Sequence, residues 1–151
     1  MQQHFGPRLI DDRRGAVLVE ALLVLPILTI LTFGILEMGQ LMWQRQQLQV
    51  GVRDAARYWS RCRTSVAMCN DRARNIAFYG TPETGTALRV PGWNTELQLT
   101  ISPNTLPNPP QRSDIVRVHG EVQYLGSPMF DAIFDSGITI QYSYTTRYIG
   151  W

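Results

Sequence analysis

Apolar and polar positions divide this chain into three stretches with different periods. From Ala16 to Leu36 the residues are apolar without a period, interrupted only by Glu20, Pro26, Gly34 and two threonines. A helix of about 20 apolar residues crosses a bilayer, so this run predicts a membrane-spanning helix. A cleaved secretory signal is the competing reading. Its apolar core lasts about 7–15 residues and ends at a small-residue cleavage site. Here the run is longer and continues into Glu37-Met38-Gly39-Gln40-Leu41-Met42-Trp43 without such an exit, which favours a retained helix.

In the second stretch a heptad period appears. Leu41, Arg45, Leu48, Val52, Ala55, Trp59, Cys62 and Val66 alternate in steps of four and three, the seam of a helix lying lengthwise on another surface. Gln44, Gln46, Gln47, Gln49 and Asp54 read as one polar side, and Arg53, Arg57 and Arg61 stack at spacing four on another stripe. The two stretches together predict one helix from about Ala16 to about Arg61, on the order of 70 Å long. Asn70-Asp71 can cap a second short helix through Tyr79, stopped by Gly80.

After Gly80 the helical period disappears. Glu96 to Ile101 alternates as a strand, Pro103 to Pro110 is a proline-rich loop, and Ile115 to Leu125 alternates again with Gly120 as a candidate bulge. Pro128 to Phe134 reads as an apolar turn or short helix, and Ile138, Ile140, Tyr142, Tyr144 and Thr146 mark a last strand. Three strands in a meander leave one apolar face to cover, and Val52, Ala55 and Trp59 of the long helix are the expected cover. The fold class is α+β, a long N-terminal membrane-spanning helix continuing into a small outer domain. That domain holds a short second helix and an antiparallel sheet of about three strands. The expected divisions are a leader over 1–15, a transmembrane helix over 16–40, a helical region over 41–79 and a β-rich head over 80–151.

Charge adds orientation. Arg8, Arg13 and Arg14 lie on the N-terminal side of the apolar run and the next arginine is Arg45, so the positive-inside rule leaves the short N-terminus cytoplasmic and the head outside. The net charge of +2 is nearly balanced and points to no polyanionic partner. All 14 basic residues are arginine. The Arg53/Arg57/Arg61 stripe reads as a solvated face. An anionic partner is the other reading, though no aromatic interleaving is present to stack bases, so no nucleic acid is expected.

Only two cysteines are present, Cys62 and Cys69. On one unbroken helix, residues seven apart are about 10 Å apart, beyond the reach of a disulfide. A break at Thr64-Ser65 makes the bridge feasible and suits an oxidising compartment; two free thiols are the alternative. Two cysteines without a nearby histidine do not make a metal site, and His4 and His119 are far apart. No cofactor is expected. No G-x-S-x-G, H-E-x-x-H or phosphate-cradling glycine loop is present, so the sequence offers no enzyme chemistry. Asp131 and Asp135, four apart on an apolar turn, read as packing or capping.

Chemistry concentrates at the start of the apolar run. Asp11-Asp12-Arg13-Arg14 precedes Gly15, and Glu20 interrupts the apolar residues that follow. A carboxylate inside a membrane helix costs on the order of 2.5–3.5 kcal/mol at the centre and less near an end, so such residues usually have a partner. Pro26 removes the hydrogen bond its N–H would give to the Leu22 carbonyl and invites a kink. It reads either as a proline tolerated in membrane helices or as a point where the helix can stretch.

With the charged leader ending in Gly15, Glu20 at the fifth position after it, the apolar helix and a β-rich head, the chain resembles a type IV pilin-like protein. More narrowly, Val19 to Pro26, Gly34 to Gly39, Ala55-Ala56-Arg57-Tyr58 and the ending from Ile138 to Tyr148 resemble the TadE-like family, minor pilins or pseudopilins of the tight-adherence (Flp) pilus system. Ala21 departs from the pattern, where family members often carry Phe or Tyr. The resemblance implies cleavage between Gly15 and Ala16 by an inner-membrane prepilin peptidase and an assembly role for Glu20. It implies a single-pass protein of the bacterial inner membrane with a periplasmic head. Other pilin and minor pilin subunits and the pilus assembly platform are the partners it implies, in priming, tip or regulatory work. In a filament Glu20 can pair with the new amine of Ala16 on a neighbour; a carboxylate snorkelling to the interface is the simpler alternative. The rival class is an uncleaved single-pass scaffold of a secretion or pilus-assembly machine, which shares the topology and differs only at Gly15.

Overall fold

The structure is a computed structural model that describes residues 13–63, 68–105, 111, 113–128, 130 and 137–149. It divides into two compact units, Met1–Met38 and Gly39–Trp151. The element order is α1 (Arg13–Ser60), α2 (Cys69–Tyr79), a short 3-10 turn (Glu96–Gln98), β1 (Leu99–Ser102), β2 (Ile115–Gln123) and β3 (Thr139–Arg147), an α+β arrangement.

In the first unit α1 shows apolar side chains all round, with none of its membrane-length window buried. By length and composition this helix can cross a membrane.

The second unit, called the head from this point on, is a three-stranded antiparallel meander covered on one face by helices. Register places Leu99 opposite Gly120 and Ile101 opposite Val118, then Val118, Gly120 and Val122 opposite Tyr144, Tyr142 and Ile140. These residues share one face, and period-two alternation buries every second residue of β2. Leu48, Val52, Ala55 and Trp59 of α1, with Ala73, Ala77 and Phe78 of α2, complete the core. Trp93 is fully buried among them, edge-on to Phe78 at 5.1 Å. The opposite face of the sheet carries polar residues. There His119 Nδ1 lies 2.7 Å from Ser143 Oγ on the facing strand and Nε2 lies 3.7 Å from Glu121.

Glycines make the close packing possible. A Cβ on Gly120 would stand 2.7 Å from Val52 Cγ2, and one on Gly51 would stand 2.6 Å from the Ala77 carbonyl oxygen. The expected bulge at Gly120 is absent, since the register runs through it on both sides; the glycine admits the helix instead.

Several local expectations change. Arg45 is exposed and Gln44 is buried in its place. A step of four back from Leu48 reaches Gln44, whose amide Nε2 donates to the Leu125 carbonyl at 3.1 Å, while an arginine head is better left in water. Asp54, read as part of the polar side, is half-buried and pairs with Arg89 at 2.9 Å. At α2, Met68 takes the N-cap position without a side-chain hydrogen bond, and Asn70 and Asp71 fall inside the first turn. Asn70 instead accepts from Arg74 Nε and donates to Asn104. The C-terminal expectation holds: Gly80 has φ 82° and its N–H donates to the Ile76 carbonyl. The strand expected from Glu96 starts at Leu99, because Thr95 and Gln98 form a capping box that winds Glu96–Gln98 into a 3-10 turn. Val66, the Thr64-Ser65 break, residues 106–110 of the proline-rich loop, Asp131, Asp135 and the leader up to Asp12 lie outside the described residues.

Candidate functional site

The sequence-selected residues fall into two groups, one in each unit. In the first, Gly15, Ala16, Glu20 and Pro26 sit on the first turns of α1, where no acidic residue occupies the opening turn. A Cβ on Gly15 would meet nothing within 4 Å among the described residues, as at Gly34 and Gly39.

Glu20 is exposed and stands among exposed apolar neighbours: Val17 at 64%, Val19 at 58% and Leu23 at 65%. Among the described residues no cation lies within ion-pair distance of its carboxylate. An ionised group surrounded by apolar side chains on a membrane-length helix is costly unless something neutralises it. Pro26 lies within the helix and offers no N–H to the Leu22 carbonyl. One turn later, the hydroxyls of Thr29 and Thr32 donate to the Leu25 and Leu28 carbonyls at 2.7 and 2.8 Å, so each hydroxyl donor is met within the helix.

In the second group, Cys62 and Cys69 are joined by a disulfide with Cα atoms 6.2 Å apart. The chain leaves its helical path after Ser60, and α2 restarts at Cys69, which brings the two sulfurs together. Neighbouring bonds hold the same corner. Tyr148, buried, donates its hydroxyl to the Cys62 carbonyl, and the Ile149 N–H donates to the Ser60 carbonyl at 2.8 Å. The end of β3 is therefore stitched to the end of α1 beside the bridge. Arg53, Arg57 and Arg61 are all exposed. Arg53 stands over the Tyr142 ring, 5.4 Å from its centroid, and donates through Nε to that hydroxyl at 3.1 Å.

Reading the sequence alone overlooks Trp93 and Val90, both fully buried. Their signal was an aromatic directly after Pro91-Gly92, in a segment otherwise poor in apolar residues. Trp93 fills the space left by Gly51 and Gly120, and its Nε1 donates to the Gln98 carbonyl at 3.3 Å. It is a packing residue that seats α1 on the sheet.

Compared with known proteins, residues 15–57 match the family described as TadE-like protein. The matched stretch contains Gly15, Ala16, Glu20 and Pro26 and the α1 residues that cover the sheet. Over that stretch the chain is similar to a TadE-like pilin of the tight-adherence (Flp) system, and its apolar N-terminal helix fits a single-pass membrane protein of such a pilus system. No curated protein and no solved structure matches the chain.

Proposed function

We propose that this chain is a minor pilin-like subunit of a tight-adherence (Flp) pilus, cut between Gly15 and Ala16 by prepilin peptidase and held in the inner membrane with its head in the periplasm. The observation that carries this reading is Glu20, a carboxylate without a cation among the described residues, on an exposed apolar helix within the TadE-like match. Cleavage after Gly15 creates an ammonium at Ala16. A neighbouring subunit's ammonium then neutralises Glu20, which removes two charges from lipid in one contact. Gly15, unconstrained by packing, is left free to pass through a peptidase active site. The disulfide of the head suits an oxidising periplasm.

N-terminal sequencing of the protein recovered from membranes tests processing: a start at Ala16 supports the reading, and a start at Met1 leaves the uncleaved scaffold. Glu20→Ala tests the pairing separately. Membrane insertion and unfolding of the head should be unchanged, while pilus number falls by at least an order of magnitude, as expected when a buried charge loses its partner. Normal piliation in that variant would sink the pairing.

A further inference from the structure

We infer that the groove beside the Cys62–Cys69 disulfide is a docking site for an acidic peptide segment of a partner protein. The groove is open, holds about 350 Å³, and is lined by Arg57, Tyr58 and Arg61 of α1, by Cys62 and Arg63 just beyond it, and by Arg72 of α2. It belongs to the head alone, so it stands whether or not Gly15 is cut.

Charge is the first observation. Three other arginines of the head are used internally, Arg53 by Tyr142, Arg74 by Asn70 and the carbonyls of Glu96 and Leu99, and Arg89 by Asp54, while Arg45, Arg117 and Arg147 are exposed elsewhere. The side chains of Arg57, Arg61, Arg63 and Arg72 make no hydrogen bond or ion pair among the described residues. Asp71 is adjacent in sequence to Arg72 yet forms no ion pair with any of the four among those residues. Four arginines therefore line one small concavity without a partner for their side chains among the described residues. Each presents a planar fork of donors that matches a carboxylate in bidentate fashion.

The rest of the lining decides the class of partner. Tyr58, half-buried, and Cys62, buried, line the groove together with the arginines, so aromatic and sulfur surface lies beside the cationic side chains. A free phosphate or a polyanionic sugar would satisfy the cationic side chains and leave that surface uncovered. A peptide carrying carboxylates beside an apolar side chain meets both. The site is also held in shape: the disulfide ties the end of α1, with Arg57 and Arg61, to the start of α2, with Arg72. With those backbones tied, only the side chains remain to be ordered on binding.

Binding of a fluorescent peptide of alternating Glu and Leu to the full-length, oxidised protein in detergent micelles tests this, with a Gln-and-Leu peptide of the same length as control. The Glu peptide should bind and the Gln peptide should not. R61Q combined with R72Q should weaken the Glu peptide by about tenfold or more, because a docked charge pair is lost at each site. R117Q combined with R147Q, exposed arginines of the sheet, should change it by less than about twofold. Non-reducing electrophoresis and circular dichroism of each variant confirm the fold, and R57Q alone supplies an independent decrease if the double variant misfolds. Absence of Glu-peptide binding, equal binding of the Gln peptide, or equal losses in both double variants would overturn the proposal. So would displacement of the Glu peptide by phosphatidylglycerol vesicles or inorganic phosphate at matched concentration, which would assign the groove to lipid or to free anions.

Discussion

Leu22 and Leu48 lie on the same helix, yet Leu22 exposes 68% of its surface and Leu48 none. Residue type and local conformation are identical in the two cases. What differs is whether the chain supplies a surface to bury them. Leu48 meets the sheet through the gap at Gly120, whereas Leu22 and its neighbours are exposed among the described residues. The glycines repeat the contrast: Gly51 sits where any Cβ would strike the Ala77 carbonyl, and Gly34 has nothing within 4 Å. Even the charges differ in this way. Asp54 finds Arg89 inside the head, while Glu20 has no cation among the described residues. Residues 15–38 thus leave their apolar side chains exposed, which fits a helix completed by a membrane and, in the proposed function, by other subunits. The head is completed from within.

That contrast can be broken by matched substitutions, followed by tryptophan fluorescence of the buried Trp59 and Trp93 during denaturation in micelles. The largest expected effect is Leu48→Ala, which should destabilise the head by about 2–5 kcal/mol, with Leu22→Ala leaving head unfolding unchanged. Equal effects at the two leucines would end the distinction. Replacing Cys62 and Cys69 together by serine should cost roughly 2–3 kcal/mol, since the bridge closes a short loop. Gly51→Ala should cost about 1–3 kcal/mol by forcing α2 or Trp93 to shift, while Gly34→Ala should leave the head as it was. A neutral Gly51→Ala would show that the fit of α1 onto α2 is looser than its 2.6 Å approach implies. The smallest effect belongs to Asp54→Asn. Its ion pair with Arg89 is partly exposed, at 33% and 18%, so the loss should stay below about 1 kcal/mol and shrink with added salt.

Much of the architecture was legible because it rests on period. The unbroken apolar run, the heptad continuation apart from Arg45 and over its described residues, the αL glycine at Gly80 and the alternation in β2 and β3 each state a local rule that neighbours did not override. The misreadings fall where two local rules competed. Gln44 and Arg45 are equally compatible with the seam, and the choice was made by the Leu125 carbonyl, 81 residues away. Glu96–Gln98 alternates like a strand, but a capping box took it first. Gly120 looked like a bulge because a strand glycine usually marks either a bulge or a close approach, and only the position of Val52 separates the two. At the candidate site the order was reversed. Gly15, Ala16 and Glu20 were selected from spacing and from a family resemblance, and their exposed surroundings contain nothing that assigns them a role. The arginine groove was half visible: the Arg53/Arg57/Arg61 stripe was in the sequence, but Arg63 and Arg72 joined it only by folding, while Arg53 left it for Tyr142.

By itself the sequence determined the elements that depend on neighbours along the chain. These are the membrane-length apolar helix, its heptad continuation, the strands with their inward faces, and the glycine and carboxylate that open the helix. Hydrophobic period and turn chemistry are local properties, so one chain read in order is enough to find them. Only the tertiary structure decided which residues meet. It seated α1 on the sheet at Gly51 and Gly120, buried Trp93 between them, brought Cys62 to Cys69, and gathered Arg57, Arg61, Arg63 and Arg72 around that bridge. Those outcomes depend on shape and on the satisfaction of particular polar groups across long separations, and no periodicity carries that information.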